Sequence, residues 1–324
     1  MEKQYSKNSL KKFIHYLIEF HKDYFDLKTY LIIVAFVALL IGLNYTYDIE
    51  SKYINHFKGK NIRILMFFAY HFIAYIGTLI IIKLNKTKYK LLLSKEFWIK
   101  AILVFFILGF SRAFYNHFKT IKELCDPETY RFYYKIANNA IDFFNIFLPL
   151  LFLRYLFDIK NKDGIYGLKF SGVSFRPYII GLCIMIPFVY LASLTKDFQN
   201  YYPVYKRSGG GIFSNFYQIP EMVSIVIFEF FYISSFVFVE LFFRGALVIG
   251  FVKLLGKNCV LPMAATYVVL HFGKPIGETI SSFFGGYILG IWAYYSRNIW
   301  GGVFIHGGIA LLMEIFAFPY FSGG

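Results

Sequence analysis

The chain has 324 residues, of which 58% are hydrophobic and only 16% are charged, and its mean hydropathy is +0.53. Soluble domains are roughly half apolar and a quarter charged, so this composition excludes an ordinary soluble domain and predicts an all-α, polytopic transmembrane helical bundle. The net charge of +15 arises from basic residues in short loops and near the N-terminus, without a soluble basic module, so we predict no nucleic-acid partner.

Residues 1–26 form a basic segment in which apolar side chains recur at helical spacing. The pattern predicts an amphipathic helix at the membrane interface, and the alternative is a loose, charged terminus. No small-residue cleavage site precedes the first long apolar stretch, so we expect no cleaved signal peptide. The apolar residues that repeat are Leu10, Phe13, Ile14, Leu17, Ile18 and Phe25.

Residues 27–219 contain five apolar stretches, each long enough to cross a bilayer as a helix. Apart from scattered serine, threonine and asparagine, we expect these spans to carry almost no polar side chains, and we interpret the region as a scaffold. Loops on the N-terminal side hold more lysine and arginine than the opposite loops, which predicts a cytoplasmic N-terminus. The predicted spans are residues 29–47, 62–82, 97–114, 137–157 and 177–194, and the most basic loop is 83–95.

Residues 220–318 differ from the scaffold because ionisable residues recur at membrane depth. Such residues are rare within membranes and by default mark functional sites, so we interpret this region as the functional core. We predict four helical segments here, which gives about eight or nine spans in total. The segments are residues 220–255, 260–271, 276–295 and 299–318, and the ionisable residues are Glu229, Glu240, Arg244, His271, His306 and Glu314.

Glu240 and Arg244 lie one helical turn apart inside an otherwise apolar run. They can pair with each other where an unpaired charge would be costly, and the alternative role is a structural ion pair that locks two helices. Glu229 and Glu314 favour structural or interfacial roles, although Glu314 can also face the same side as His306 and hold a histidine tautomer.

His271 and His306 lie on separate apolar segments and can meet Glu240 and Arg244 only inside the bundle. A carboxylate and imidazoles in a hydrated cavity suit the activation of water, with a second histidine or an arginine stabilising the oxyanion. The alternatives are an interfacial histidine before a loop and a helix–helix hydrogen bond. Lys274 follows His271 and can meet Glu278 or a substrate carboxylate near the cavity mouth.

The order of four motifs resembles the CPBP family of intramembrane proteases, which includes type II CAAX prenyl endopeptidases and bacteriocin-processing, Abi-like proteins. The family pattern is Glu-Glu-x-x-x-Arg, then Phe-x-x-x-His, then a glycine-containing helix, then His-x-x-x-Asn. We expect Gly285, Gly286 and Gly290 of the third motif to allow close helix packing. In this chain the motifs are VELFFR at 239–244, YVVLH at 267–271, GGYILG at 285–290 and HGGIA at 306–310.

Two positions depart from the family pattern. The resemblance implies that the first glutamate and the second-motif histidine activate the water, while the last-motif histidine and asparagine form the oxyanion site. Val239 stands at the first position and Ala310 at the asparagine position. Losing one oxyanion donor typically lowers the rate by about two to three orders of magnitude. Glu240 can compensate if a kink or an over-wound turn moves it by the ~100° that separates neighbouring residues on a helix.

The sequence therefore predicts an intramembrane endopeptidase of the CAAX-protease type, with Glu240, Arg244, His271 and His306 as its catalytic residues. The alternative is a catalytically impaired family member that acts as a membrane binding scaffold or regulator. A transporter is disfavoured because we find no internal repeat. The expected partners are the lipid bilayer and a peptide or membrane-protein substrate, and the expected location is a bacterial inner membrane.

No cofactor is identified from the sequence. There is no HExxH motif, and two histidines with one carboxylate are too few to predict a metal site. The three cysteines lack paired spacing, which argues against a disulfide framework and a cysteine-based zinc site.

Overall fold

The computed structural model describes residues 9–85, 94–170 and 173–320. These residues form helices and connecting turns, and no β-strand occurs among them. The predicted all-α bundle is therefore confirmed. The N-terminal lysines Lys3 and Lys7 and the predicted basic loop at Lys86, Lys88 and Lys90 lie outside the described residues.

Most of the long α-helices begin and end close to the predicted segments, but the predicted span 137–157 is divided between two helices. In chain order the α-helices are α1 (Ser9–Tyr24), α2 (Leu27–Tyr47), α3 (Ile62–Asn85), α4 (Lys95–Ala113), α5 (Asn116–Leu124), α6 (Tyr130–Ala140), α7 (Leu148–Phe157), α8 (Arg176–Ser193), α9 (Lys196–Tyr201), α10 (Gly210–Phe216), α11 (Glu221–Glu240), α12 (Val252–Leu255), α13 (Val260–Leu270), α14 (Ile276–Ser296) and α15 (Trp300–Ala317). Helices α5, α9 and α10 lie between the predicted spans.

Seven stretches of the described residues are long and apolar enough to cross a membrane, judged by length and composition. One of them, Glu221–Leu270, has 50 residues and contains α11, α12 and α13. The 21-residue helix α14 is not among the seven. The chain is an integral membrane protein, and the total of eight or nine spans stays a prediction.

Helix α1 packs against the rest of the helical bundle. It contacts α8 and α14, and its Phe20 and Tyr24 are fully buried. Phe13 lies against Trp292 of α14, with their ring centres 3.3 Å apart. Ile14 and Ile18 remain exposed, so part of the predicted apolar face is still uncovered.

Buried ionisable side chains also occur in the scaffold, and the expectation that its spans carry almost none is wrong. Arg63 and His71 of α3 and Lys100 of α4 are all exposed by 9% or less. Lys100 donates to the carboxylate of Asp158, after α7, and to the carbonyl oxygen of Gly250 at 2.6 Å. From sequence alone, a lysine near the end of a span cannot be distinguished from an interfacial anchor, because its partners are distant along the chain.

The C-terminal core contains a π-helical segment. Helix α11 continues past Glu240 as Leu241–Ile249, where the Gly250 N–H donates to the Gly245 carbonyl at 2.9 Å in the i→i+5 pattern of a π-helix. A Cβ atom at Gly245 would lie 2.9 Å from the carbonyl oxygen of Tyr166, so glycine lets these two backbones approach. Local π-helical segments often occur at functional sites.

Helices α13, α14 and α15 complete the core. A Cβ atom at Gly286 would lie 3.0 Å from the Tyr267 ring, and one at Gly290 would lie 2.4 Å from the Met263 side chain. The predicted packing role is therefore confirmed for these two glycines. It is wrong for Gly285, where an added Cβ atom has no neighbour within 4 Å among the residues that the structure describes.

Candidate functional site

A cavity of about 450 Å³ lies among α8, α14 and α15, with mostly apolar walls. Ile184 of α8 and Phe284 of α14 line it and are also 57% and 59% exposed, so the cavity reaches the outer side of the bundle. Polar side chains from four parts of the chain also line it. Six of them are Arg244, Tyr267, His271, Lys274, Glu278 and His306.

Arg244 is buried, paired with a carboxylate, and still has unused donors. Its Nη1 donates to Glu240 Oε1 at 2.8 Å, and the two side chains are 1% and 0% exposed. The guanidinium carbon lies 4.2 Å from the centre of the Tyr267 ring, which provides a cation–π contact. Nε and Nη2 have no hydrogen-bond partner among the described residues, and Arg244 is one of the residues that line the cavity.

Glu240 holds two cavity residues without lining the cavity itself. Its Oε1 atom accepts from Arg244 and also from His306 Nδ1 at 3.1 Å. A Cβ atom at Gly302 of α15 would lie 2.1 Å from Glu240 Oε2. The carboxylate therefore occupies space that any side chain at Gly302 would fill, and it ties α11 to α15.

His306 is fixed from three sides. A carboxylate only accepts, so Nδ1 carries the proton that it donates to Glu240. The Tyr267 hydroxyl lies 3.1 Å from Nε2 and 3.2 Å from Nδ1, and the Phe236 ring centre lies 4.2 Å from the imidazole centre. These contacts leave the ring little freedom to turn.

His271 follows the last residue of α13 and is 4% exposed. Its Nδ1 atom lies 2.8 Å from the Tyr267 carbonyl oxygen, which can only accept, so Nδ1 carries a proton. The neutral ring then has its lone pair on Nε2. The ring centres of His271 and His306 are 6.4 Å apart, across the same cavity.

A second polar group, which we call the Glu278 group, comprises Tyr202, Lys274 and Glu278. Lys274 Nζ donates to Glu278 Oε1 at 2.7 Å, and the Tyr202 hydroxyl donates to Oε2 at 2.8 Å. Burial, followed by the nearby Glu278 charge, raises the pKa of Tyr202 well above its ordinary value, so its hydroxyl remains a donor. His271 Nε2 lies 3.9 Å from Glu278 Oε1, which brings this group beside the histidine.

Residues 221–312 match the family model described as type II CAAX prenyl endopeptidase Rce1-like. We call residues 221–312 the Rce1-like domain because of this similarity. It contains the four predicted site residues Glu240, Arg244, His271 and His306, and it is consistent with the CPBP family that the motifs resemble. No curated protein and no solved structure matches the chain significantly.

Within the Rce1-like domain, the predicted residues take unequal positions. Arg244, His271 and His306 line one cavity, whereas Glu240 contacts two of them from outside it. Val239 is partly buried against the main apolar core and does not line the cavity either. The π-helical segment starts only after Glu240, so it does not turn that residue toward the cavity.

Two further glutamates lie away from this cavity, although Glu314 was a candidate to line it or to hold a histidine. Glu314 instead accepts from the backbone N–H groups of Val204 at 2.7 Å and Tyr205 at 3.2 Å. It fixes the chain just after Tyr202, which enters the cavity wall. Glu229 is 9% exposed and likewise lies outside the cavity.

No three histidine, cysteine, aspartate or glutamate side chains cluster closely enough to hold a metal ion in the described parts of the chain. Among the residues that line the cavity, Arg244 and Lys274 are the arginine and lysine side chains.

Sequence reasoning assigned Glu278 only to an ion pair with Lys274 and did not include Tyr202. A signal for Glu278 was present, because it stands four residues after the oppositely charged Lys274, close after His271 and before an apolar run. Tyr202 carried no such signal, since it is 76 residues from Glu278 in the chain.

Proposed function

We propose that the protein is an endopeptidase that hydrolyses a peptide bond inside the membrane, in the cavity of its Rce1-like domain. One observation carries the proposal: His271, whose Nε2 holds a lone pair, and Arg244, whose Nε and Nη2 have no partner among the described residues, line the same cavity. An acceptor for water and donors for an oxyanion are the two groups that peptide hydrolysis needs.

His271 is the residue that holds the attacking water. Its Nδ1 proton is fixed on the Tyr267 carbonyl, so Nε2 accepts a hydrogen bond from the water. The surrounding apolar walls exclude other water and strengthen this interaction.

Arg244 stabilises the oxyanion that forms on the substrate carbonyl. Its Nε and Nη2 atoms supply the donors. Ala310 also lines the cavity but supplies no donor, so Arg244 takes over that role. Glu240 keeps Arg244 and His306 in position and does not touch the substrate.

The substrate is a peptide segment that already lies in or on the bilayer. The apolar wall and its exposed lining residues, Ile184 and Phe284, suit a chain that enters from the lipid side. A prenylated peptide with a CAAX-type C-terminus is the first probe, because the matching family model carries that name. We further propose that the protein resides in a bacterial inner membrane with a cytoplasmic N-terminus.

The function is tested with purified protein in liposomes. The substrates are a fluorogenic form of the prenylated CAAX-type peptide and the same peptide without the prenyl group. His271→Ala is expected to lower cleavage by at least about 10²-fold, because it removes the group that holds the water. His71→Ala is the matched control, since His71 is 1% exposed and its Nδ1 lies 2.8 Å from the Phe67 carbonyl, yet it does not line the cavity.

Equal cleavage by the wild type and His271→Ala would refute the proposal, provided both proteins accumulate and unfold at the same temperature. Loss of cleavage in both histidine variants would indicate damage to the bundle rather than to the site.

A second function, a membrane protein that binds an apolar segment without cleaving it, is favoured by one observation. The motif positions Val239 and Ala310 carry no polar group, and the only carboxylate of the first motif, Glu240, does not line the cavity. This function predicts that the probe peptide binds to the wild type and remains intact. Binding is measured by quenching of the fluorescence of Trp292, which lines the cavity.

A further inference from the structure

We propose that Glu278 accepts the proton of the hydrolytic water, which it holds together with His271. The inference rests on the proposed endopeptidase function and names the base of that reaction. It assigns the role to a carboxylate on α14 rather than to Glu240 on α11.

The first support is the position of Glu278 relative to His271. Glu278 Oε1 lies 3.9 Å from His271 Nε2, which is too long for a direct hydrogen bond. A water placed about 2.8 Å from each atom bridges them. It donates one hydrogen to the Glu278 carboxylate and the other to the Nε2 lone pair, which leaves an oxygen lone pair free to attack.

The second support is the unused acceptor capacity of Glu278. A carboxylate has about four acceptor sites, and here Lys274 and Tyr202 use one on each oxygen. The side chain is 12% exposed and lines the cavity. Glu240 also has unused acceptor capacity, on Oε2, but its side chain is 0% exposed and does not line the cavity.

The third support is charge compensation. A carboxylate without partners at membrane depth is costly. The Lys274 ammonium at 2.7 Å and the Tyr202 hydroxyl at 2.8 Å offset that cost for Glu278. The Glu278 group is thus a carboxylate kept beside a histidine in a largely apolar cavity, which is the arrangement a general base requires.

The proton balance is as follows. One O–H bond of the water breaks and its proton moves to Glu278 while the water oxygen bonds to the peptide carbonyl carbon. The carbonyl electron pair moves to its oxygen, beside Arg244. Glu278 then gives the proton to the peptide nitrogen as the C–N bond breaks and the C=O bond re-forms. The products are a carboxyl group and an amine, and no further reactant is needed.

Glu278→Gln in the full-length protein tests the inference with the prenylated CAAX-type peptide in liposomes. Glutamine keeps the size and can still accept from Lys274, but it cannot take up a proton. We expect kcat to fall by about 10²- to 10⁴-fold with KM changed by less than about twofold. Glu278→Asp keeps the carboxylate and is expected to retain part of the rate, which keeps the test valid if the glutamine variant is unstable.

The matched control is Glu221→Gln. Glu221 is also in the first turn of a core helix and accepts from a tyrosine hydroxyl, that of Tyr205 at 3.1 Å, but it does not line the cavity. This variant is expected to cleave at the wild-type rate.

The outcomes separate the two proposals. If His271→Ala is inactive while Glu278→Gln cleaves at the wild-type rate, the endopeptidase survives and the inference is overturned, with His271 itself taking the proton. If Glu278→Gln raises KM and leaves kcat unchanged, Glu278 binds substrate and the inference is again overturned. If the wild type cleaves neither form of the peptide, both proposals are overturned.

Discussion

Two buried ion pairs, one in the scaffold and one in the core, differ in their remaining hydrogen-bonding capacity. The scaffold pair bonds to other protein groups, whereas the core pair keeps groups that could bind a ligand. Lys100 of α4 bonds to Asp158 and to the Gly250 carbonyl, and Asp158 also accepts from the Tyr166 hydroxyl at 3.0 Å. This scaffold pair is 2% and 6% exposed and does not line the cavity. Its polar atoms are directed at other parts of the protein.

The core pair is buried to the same degree but is not saturated. Within the described parts of the chain, Arg244 uses Nη1 on Glu240 and has no partner for Nε and Nη2, and Glu240 has none for Oε2. An unsatisfied buried donor is unfavourable, and on a residue that lines a cavity it is a candidate to bind a ligand. Burial alone therefore does not distinguish the two pairs, whereas unused hydrogen-bonding capacity beside a cavity does.

The largest expected effect is on stability and comes from breaking the scaffold pair. Lys100→Met leaves Asp158 buried without its ammonium partner, which typically costs about 3–5 kcal/mol. We expect a lower unfolding temperature and lower accumulation, with unchanged cleavage per folded molecule. Lys119→Met is the control, because the Lys119–Glu123 pair is 84% and 65% exposed. A specific loss of cleavage in folded Lys100→Met would show that the two pairs are not separate in function.

The next effect is on catalysis and comes from removing the unused donors of the core pair. Arg244→Lys keeps a positive charge next to Glu240 but lacks the guanidinium Nε and Nη2 groups. We expect kcat to fall by about 10²- to 10³-fold, as for loss of an oxyanion donor. The control is Arg112→Lys. Arg112 Nη2 lies 2.9 Å from Glu50 Oε1, and neither residue lines the cavity. Equal rates for both variants would mean that Arg244 serves only as a structural partner.

A smaller effect is expected from displacing Glu240 without changing any charge. Gly302→Ala places a Cβ atom 2.1 Å from Glu240 Oε2, so the carboxylate or α15 has to move, at an overpacking cost of about 1–3 kcal/mol. We expect reduced cleavage and a lower unfolding temperature. Gly42→Ala is the control, because that position has no neighbour within 4 Å. An unchanged Gly302→Ala protein would mean that the position of Glu240 does not matter.

The smallest effect concerns the hydrogen bond from Tyr202 to Glu278. Tyr202→Phe removes one donor to a carboxylate and leaves the Lys274 pair intact. We expect the activation free energy to rise by about 0.5–1.5 kcal/mol, which is measured as a fall in kcat. Tyr133→Phe is the control, since its hydroxyl bonds to Tyr217 at an exposed site. A Tyr202→Phe variant that binds the probe less tightly, at unchanged kcat, would assign Tyr202 to substrate binding.

Much of the core could be predicted from the sequence because its signals are local. The predicted segments 260–271 and 276–295 agree with Val260–Leu270 and Ile276–Ser296 to within one residue at each end. Arg244, His271 and His306 could be named because an ionisable residue in an apolar run must face the bundle interior.

The rest depended on contacts between distant parts of the chain. Lys100 and Asp158 are 58 residues apart and the spacing of neither residue indicates the other. The distinction between Glu240 and Glu278 depends on which side chain reaches the cavity, and helix rotation and side-chain direction decide that. The side chains of neighbouring residues on a helix point in directions about 100° apart. A sequence motif identifies a residue, but it does not determine whether that side chain faces a cavity.

The exposed lining residues Ile184 and Phe284 have a consequence for how cleavage should be measured. A substrate that enters between α8 and α14 arrives by lateral diffusion, so its surface density in the membrane, and not its concentration in the buffer, sets the encounter rate. Diluting liposomes at a fixed peptide-to-lipid ratio should then leave the rate per protein unchanged, whereas adding empty lipid to the same vesicles should lower it.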